Sequence, residues 1–210
     1  MQPAIGGTAP EASMREALRA ATSSRHARLD SAVAFTEDIS RATYRGFLIR
    51  ISQLVVPLEA RLHAIESFVA RLPAAHQRQK AAALRADLAA LGHAAWPPLP
   101  ARIPVIAGEP AAWGCAYVLE GATLGGTVLA RKFGPRLALT PDHGLAYWTF
   151  YGEQTSARWR TFLDALEAWA AKAGRSAQNQ AVQSAVATFD AFLELFAAEP
   201  GEPVERAALA

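Results

Sequence analysis

His26 lies in the stretch LRAATSSRHARLD, and Arg19 stands seven residues before it. At 100° per residue, Leu18, Thr22, Leu29 and Val33 fall within a narrow arc, with His26 about 20° beyond Val33. A histidine on the core-facing side of a helix must satisfy both ring nitrogens or bind something. Arg19 projects from nearly the same face, about 10.5 Å away along the axis. An imidazole that ligates a metal and a cation that pairs with a carboxylate would suit the centre and the rim of one flat ligand. Taken singly, each has a plainer reading: a hydrogen-bonded structural histidine, and an exposed arginine lying along its helix.

A second stretch, YVLEGATLGG at residues 117–126, sits between helix-like flanks. Each glycine there costs about 1 kcal/mol relative to alanine in a helix interior. Gly121 and Gly125 share a face, Gly126 lies just beside them, and Tyr117 is on the same face one turn earlier. Such a face admits close approach to the backbone by another helix, a tight turn or a flat ligand. Tyr117 is either an aromatic core residue or a hydroxyl that reaches a ligand's edge. Glu120 reads as a solvated or salt-bridged carboxylate.

Other chemistry is thinly represented. No glutamate is followed three residues later by histidine, so a di-iron bundle motif is absent. His63, His76, His93 and His143 have no zinc-like spacing, and His76 is expected in solvent. Cys115 has no histidine or carboxylate near it in sequence that would activate a thiolate, and reads as a buried inert thiol.

These residues need elements to carry them. A chain of 210 residues, 51% of them apolar, can bury one core, and its alanine and leucine favour helices. Residues 1–12 read as a flexible tail, and Ser13 with Glu16 forms a capping-box pattern that starts a helix reaching about Val33. A second helix is expected from Ser40 or Thr43 to Pro73, kinked at Pro57, and a third over 74–91. The proline-rich stretch after Gly92 is read as a packed connector, followed by the glycine-bearing helix over about 110–132. FGPRLALTPDHG is expected to be a loop, followed by helices over about 154–172 and 176–198 and a disordered tail at 199–210. The fold class is an all-α, single-domain bundle of six to eight helices over residues 13–198.

Composition also excludes. Net charge is only +2 and the arginines are scattered, so nucleic acid is not an expected partner. No apolar run approaches the roughly 20 residues of a membrane span. The amino terminus lacks a signal-peptide pattern, and one cysteine suits a reducing compartment, so a soluble cytoplasmic protein is expected.

Together, LRAATSSRHARLD, YVLEGATLGG and FYGEQTSARWRTFLDALEAW, in that order and spacing, resemble a bacterial heme oxygenase over about residues 15–195. The glycine stretch is similar to the Tyr-Val-x-Glu-Gly-Ser-x-Leu-Gly of the short bacterial enzymes, and the type found beside bacterial phytochromes is the nearest variety. The resemblance implies heme b as cofactor and substrate, dioxygen as co-substrate, and electrons from an external reductase or ferredoxin, since no flavin or nucleotide motif is visible. It implies biliverdin, ferrous iron and carbon monoxide as products, and a phytochrome as a conceivable recipient of the bilin. By position, His26 would ligate iron, and Arg19, Tyr117 and Arg158 or Arg160 would contact propionates. Gly121 and Gly125, with Gly126 beside them, would cover the distal face. Animal-type members carry an aspartate where Ala122 stands, and short bacterial members often read Ser-Asn where this chain has Ala122 and Thr123. Water ordering above iron is therefore expected to rest on backbone carbonyls or Thr123. Three alternatives stay open: a heme-binding or transfer protein without turnover, a thiaminase-like enzyme on the same helical fold with Cys115 as nucleophile, and a plain helical interaction module.

Overall fold

The computed structural model describes residues 13–33, 35–93 and 102–197. The expected tails, at 1–12 and beyond 198, and most of the proline-rich connector lie outside these residues. Within them are seven α-helices and two short 3-10 turns, without a strand. They are α1 (Met14–Ala32), α2 (Arg41–His63), α3 (Glu66–Arg71), α4 (Ala81–Ala90), α5 (Gly108–Leu137), α6 (Thr155–Ala170) and α7 (Arg175–Ala197). None of the described helices is long and apolar enough to cross a membrane.

Helix α1 starts as its sequence implies. Ser13 caps the Glu16 amide, and the Glu16 carboxylate accepts from the Ser13 amide at 2.9 Å. Two further amides of that first turn, from Met14 and Arg15, donate to the Glu167 carboxylate of α6 at 3.1 and 2.8 Å. The orphan N–H groups of a helix start are thereby used to fix α1 against α6.

Three boundaries differ from the sequence expectation. The long second helix divides at Ile65, which is extended (φ −95°, ψ 94°), so α2 and α3 are separate. Helix α2 itself runs through Pro57. The expected third helix is a 3-10 turn at Ala75–Gln77 followed by α4, because Arg78 and Lys80 between them turn inward and bury their charges. The glycine-bearing helix runs five residues past its expected end, through Pro135, where a loop is expected. Arg41 of α2 donates to the carbonyls of Leu137 and Ala138 at 2.8 and 2.9 Å, satisfying an end that would otherwise be unpaired.

Helix α7 packs along both α1 and α5. The closest approach is at Gly114, where a Cβ would lie 1.9 Å from the Ala181 carbonyl oxygen. At one end Trp113, Phe68, Phe162 and Trp169 form an aromatic core. At the other, Tyr44, Phe47, Phe35 and Phe133 surround Trp148. Trp148 belongs to the turn between α5 and α6, and the fully buried Asp87 of α4 holds that turn by accepting from the amides of Ala146 and Tyr147, both at 2.8 Å.

Two predictions follow the packing. In Gly114→Ala the clash is with backbone, so it outweighs the ~1 kcal/mol that alanine contributes to a helix; a urea titration should show stability lower by about 2 kcal/mol. Burial pushes the Asp87 carboxyl up to about 6, against the lowering effect of its two amide donors. The native state therefore holds that proton more tightly than the unfolded chain, and this contribution to stability is present below pH ~4 and lost as pH rises to ~6. Stability measured against pH in Asp87→Asn should lack that fall.

Candidate functional site

Between α1 and α5, held apart by α7, lies a cavity of about 520 Å³. That volume is in the range of small-molecule and cofactor sites, and its wall is mostly apolar.

One wall is the face of α1 that carries Arg19, Thr22, His26, Leu29 and Val33. The expectation of a core-facing histidine needs correction: the arc is right, but His26 faces the cavity rather than packed core. Its side chain is 64% exposed, and its ring meets the Phe189 ring of α7 edge-to-face, with centroids 5.9 Å apart. Its Nδ1 lies 3.0 Å from the Asp30 carboxylate one turn on. With Nδ1–H donating there, the tautomer is set and the Nε2 lone pair is left for a metal. Asp30 was not singled out from the sequence, although a carboxylate four residues after a helical histidine was the available signal. Arg25 binds Asp190 of α7 at 2.7 Å and fixes the rotation of α1 at this point.

The facing wall is α5. The three glycines there have three different surroundings. A Cβ at Gly125 would meet nothing within 4 Å, so this glycine opens directly on the cavity. One at Gly121 would sit 3.6 Å from Trp159 Cη2 of α6. One at Gly126 would come within 2.9 Å of the Trp148 carbonyl oxygen, so this glycine, although it borders the cavity, is required by packing. Thr123 also lines the cavity, but its hydroxyl already donates to the Glu120 carbonyl at 2.6 Å.

Tyr117 and Arg19 both line the cavity, and Arg15, outside its lining, is close enough to act on the Tyr117 phenol together with Arg19. Burial raises the Tyr117 phenol above its ordinary range, and the two arginines pull it partly back. It is a neutral donor beside two cations, over the face of Trp159 with ring centroids 5.5 Å apart. The suggestion that Arg158 or Arg160 adds a contact here finds no geometry: neither lines the cavity. Arg158 is turned to Gln77 and the Tyr151 ring, and Arg160 is exposed.

Cys115 is fully buried, and burial pushes its thiol up to about 12, so it supplies no thiolate nucleophile. Among the described residues no three potential metal-ligating side chains cluster, and His76 is exposed as expected. Glu120 is salt-bridged, but deep inside the protein, to Arg78 and Lys80.

Imidazole, glycine face and cationic rim thus surround one cavity, and known proteins share its frame. The heme oxygenase of Xanthomonas campestris pv. campestris (strain 8004) is 39% identical over 126 residues, which are 58% of this chain and 70% of that protein. The NO- and CO-bound heme oxygenase from Neisseria meningitidis superposes with a TM-score of 0.75 over 94% of this chain and 99% of that one, at 21% identity, a likeness of fold. The sequence profile of the family described as heme oxygenase matches residues 12–198. The chain belongs to the heme oxygenase family.

If Nε2 of His26 is the metal ligand, His26→Ala should bind hemin weakly or with an altered spin state, and added imidazole should partly restore the native absorption spectrum. An unchanged ferric spectrum in the variant would contradict the assignment.

Proposed function

We propose that this chain cleaves heme oxidatively to biliverdin, ferrous iron and carbon monoxide, with dioxygen and electrons from a separate reductase or ferredoxin. The observation that carries the reading is the pairing across one cavity of a tautomer-fixed imidazole and a helix face whose Gly125 lacks any side chain to fill the space. The residues present fit heme b: a mostly apolar cavity of about 520 Å³, an imidazole as nitrogen ligand, and a cation and a phenol, Arg19 and Tyr117, in its lining. Heme, once bound, is both the substrate and the group that activates oxygen.

The chain's own contribution is binding, orientation and exclusion. His26 would supply a nitrogen ligand to the heme iron, with Asp30 holding its ring. Arg19, with the Tyr117 hydroxyl, would receive the propionates through charge-assisted hydrogen bonds, and Arg15 beside Tyr117 would add a second positive charge there. Gly121 and Gly125, lacking side chains, would leave room beside the heme for a diatomic molecule. With Ala122 where other members carry a polar residue, and with the Thr123 hydroxyl proton given to the Glu120 carbonyl, distal water would be held by backbone carbonyls of this turn and by the acceptor lone pairs of Thr123. The resemblance of the chain as a whole to the type beside bacterial phytochromes supports a phytochrome as recipient of the bilin. A single buried cysteine fits a reducing compartment such as the cytoplasm.

Hemin mixed with the purified protein, then given ascorbate in air, should lose its Soret band and yield a bilin on extraction. A stable heme complex without bilin would make the protein a heme carrier instead. Arg19→Ala should weaken hemin affinity by roughly one to two powers of ten, the equivalent of about 1.5–3 kcal/mol for such a bond. In Gly125→Ala the apo-protein should melt no lower than wild type, since alanine favours a helix by about 1 kcal/mol. Its single-turnover bilin yield should fall, because the methyl group enters the cavity. Normal yield with a lowered melting temperature would make the glycine a packing residue.

A further inference from the structure

Directly before the first cavity glycine, on the opposite side of α5, four charged side chains are buried together. Glu120 is 4% exposed, Arg78 3%, Lys80 2% and Glu59 4%. Both carboxylate oxygens of Glu120 are taken. Lys80 Nζ donates to Oε1 at 2.8 Å, Arg78 Nη1 donates to Oε2, and the Tyr151 hydroxyl lies 3.0 and 2.9 Å from the two.

The partners are themselves fixed to other elements. Arg78 Nε donates to the Pro73 carbonyl at 2.9 Å, and Lys80 Nζ to the Arg78 carbonyl at 3.1 Å. The Lys80 amide donates to Glu59 of α2 at 2.7 Å. Tyr151 belongs to the turn that enters α6. One carboxylate therefore ties α5 through directional bonds to two separate segments, the Arg78–Lys80 stretch before α4 and the turn at Tyr151, and through Lys80 to Glu59 of α2.

Burying two ion pairs is a poor way to gain stability, since desolvation offsets most of the attraction and apolar residues of like volume would serve as well. What such a cluster does is fix geometry. Gly121 and Gly125 point about 100° and 140° around the axis from Glu120, so any roll of α5 at Glu120 carries the ceiling with it. A roll of about 15° displaces groups at the helix surface by roughly 1 Å, beyond the ~0.5 Å within which a site must hold its geometry. Apolar packing alone, which slides, gives α5 no such stop on this side.

We infer that Glu120 is a positioning residue: clamped by Arg78, Lys80 and Tyr151, it sets the rotation of α5 that presents Gly121 and Gly125 to the cavity. The functional consequence rests on the heme reading above, whereas the rotation itself belongs to the protein without ligand. Glu59 is the internal control, being in the same cluster but on α2, with no hydrogen bond to α5.

The test uses three variants of the full chain, Glu120→Gln, Tyr151→Phe and Glu59→Gln, each with [15N]glycine labelling. The Gly125 amide resonance of the apo-protein, identified by its absence in Gly125→Ala, reports the helix face one turn from the substitution. Glu120→Gln should move it, Tyr151→Phe should move it in the same direction by less, and Glu59→Gln should lower the melting temperature while leaving it in place. In the hemin-loaded protein the same order should appear in single-turnover bilin yield, with Glu120→Gln down roughly 10- to 100-fold. A Gly125 resonance unmoved in Glu120→Gln and Tyr151→Phe, or moved as far in Glu59→Gln, would overturn the inference and leave the cluster a matter of stability alone. If Glu120→Gln does not fold, Tyr151→Phe against Glu59→Gln decides on the same criteria. Failure of wild type to make bilin would refute the heme reading and leave the resonance comparison standing.

Discussion

The contact on which the rest depends is between two backbones. At Gly114, α5 lies so close to α7 that the Ala181 carbonyl occupies the place of a Cβ. Because α7 also carries α1 along its length, that approach sets how far apart α1 and α5 stand, and hence the width of the slot between His26 and Gly125. Other links hold the remaining freedoms. Glu167 pins the start of α1, Arg25 with Asp190 fixes its rotation beside His26, and Asp87 secures the turn whose Trp148 backbone meets Gly126. The cavity survives because the helices around it are fastened by their far sides.

Four glycines of α5 separate into two kinds of use. Gly114 and Gly126 are places where protein backbone has come too close for any side chain, and space is conserved for the fold. Gly125 faces nothing, and Gly121 meets only a tryptophan edge at ordinary contact distance. An unfilled glycine in a helix costs stability without a packing return, so its reason must lie in what enters the cavity. The same sequence stretch thus answers two questions at once, and only the geometry separates them.

Much of the site was legible because helical spacing is regular. Arg19 and His26 at seven residues, and Tyr117, Gly121 and Gly125 at four, follow from 3.6 residues per turn and needed no tertiary information. The capping box at Ser13 is local in the same sense. What could not be read was long-range. Pro135 looks like a helix end, and it is not one because Arg41, nearly a hundred residues earlier, satisfies the carbonyls beyond it. Arg160 lies in a motif of the right composition but points to solvent, a matter of how α6 is rotated against α5. Gly114 gave no signal, since its partner Ala181 is unremarkable in sequence, and the inward turn of Arg78 and Lys80 depends on Glu120 forty residues away. Asp30 was legible and was passed over.

A crystal structure of the hemin complex tests the central claim most directly. The account predicts iron bonded to Nε2 of His26, with Asp30 still on Nδ1. The opposite heme face should lie against Gly121 and Gly125, with the propionates among Arg15, Arg19 and Tyr117. Iron held by another side chain, or heme seated elsewhere with the slot between α1 and α5 unfilled, would contradict it.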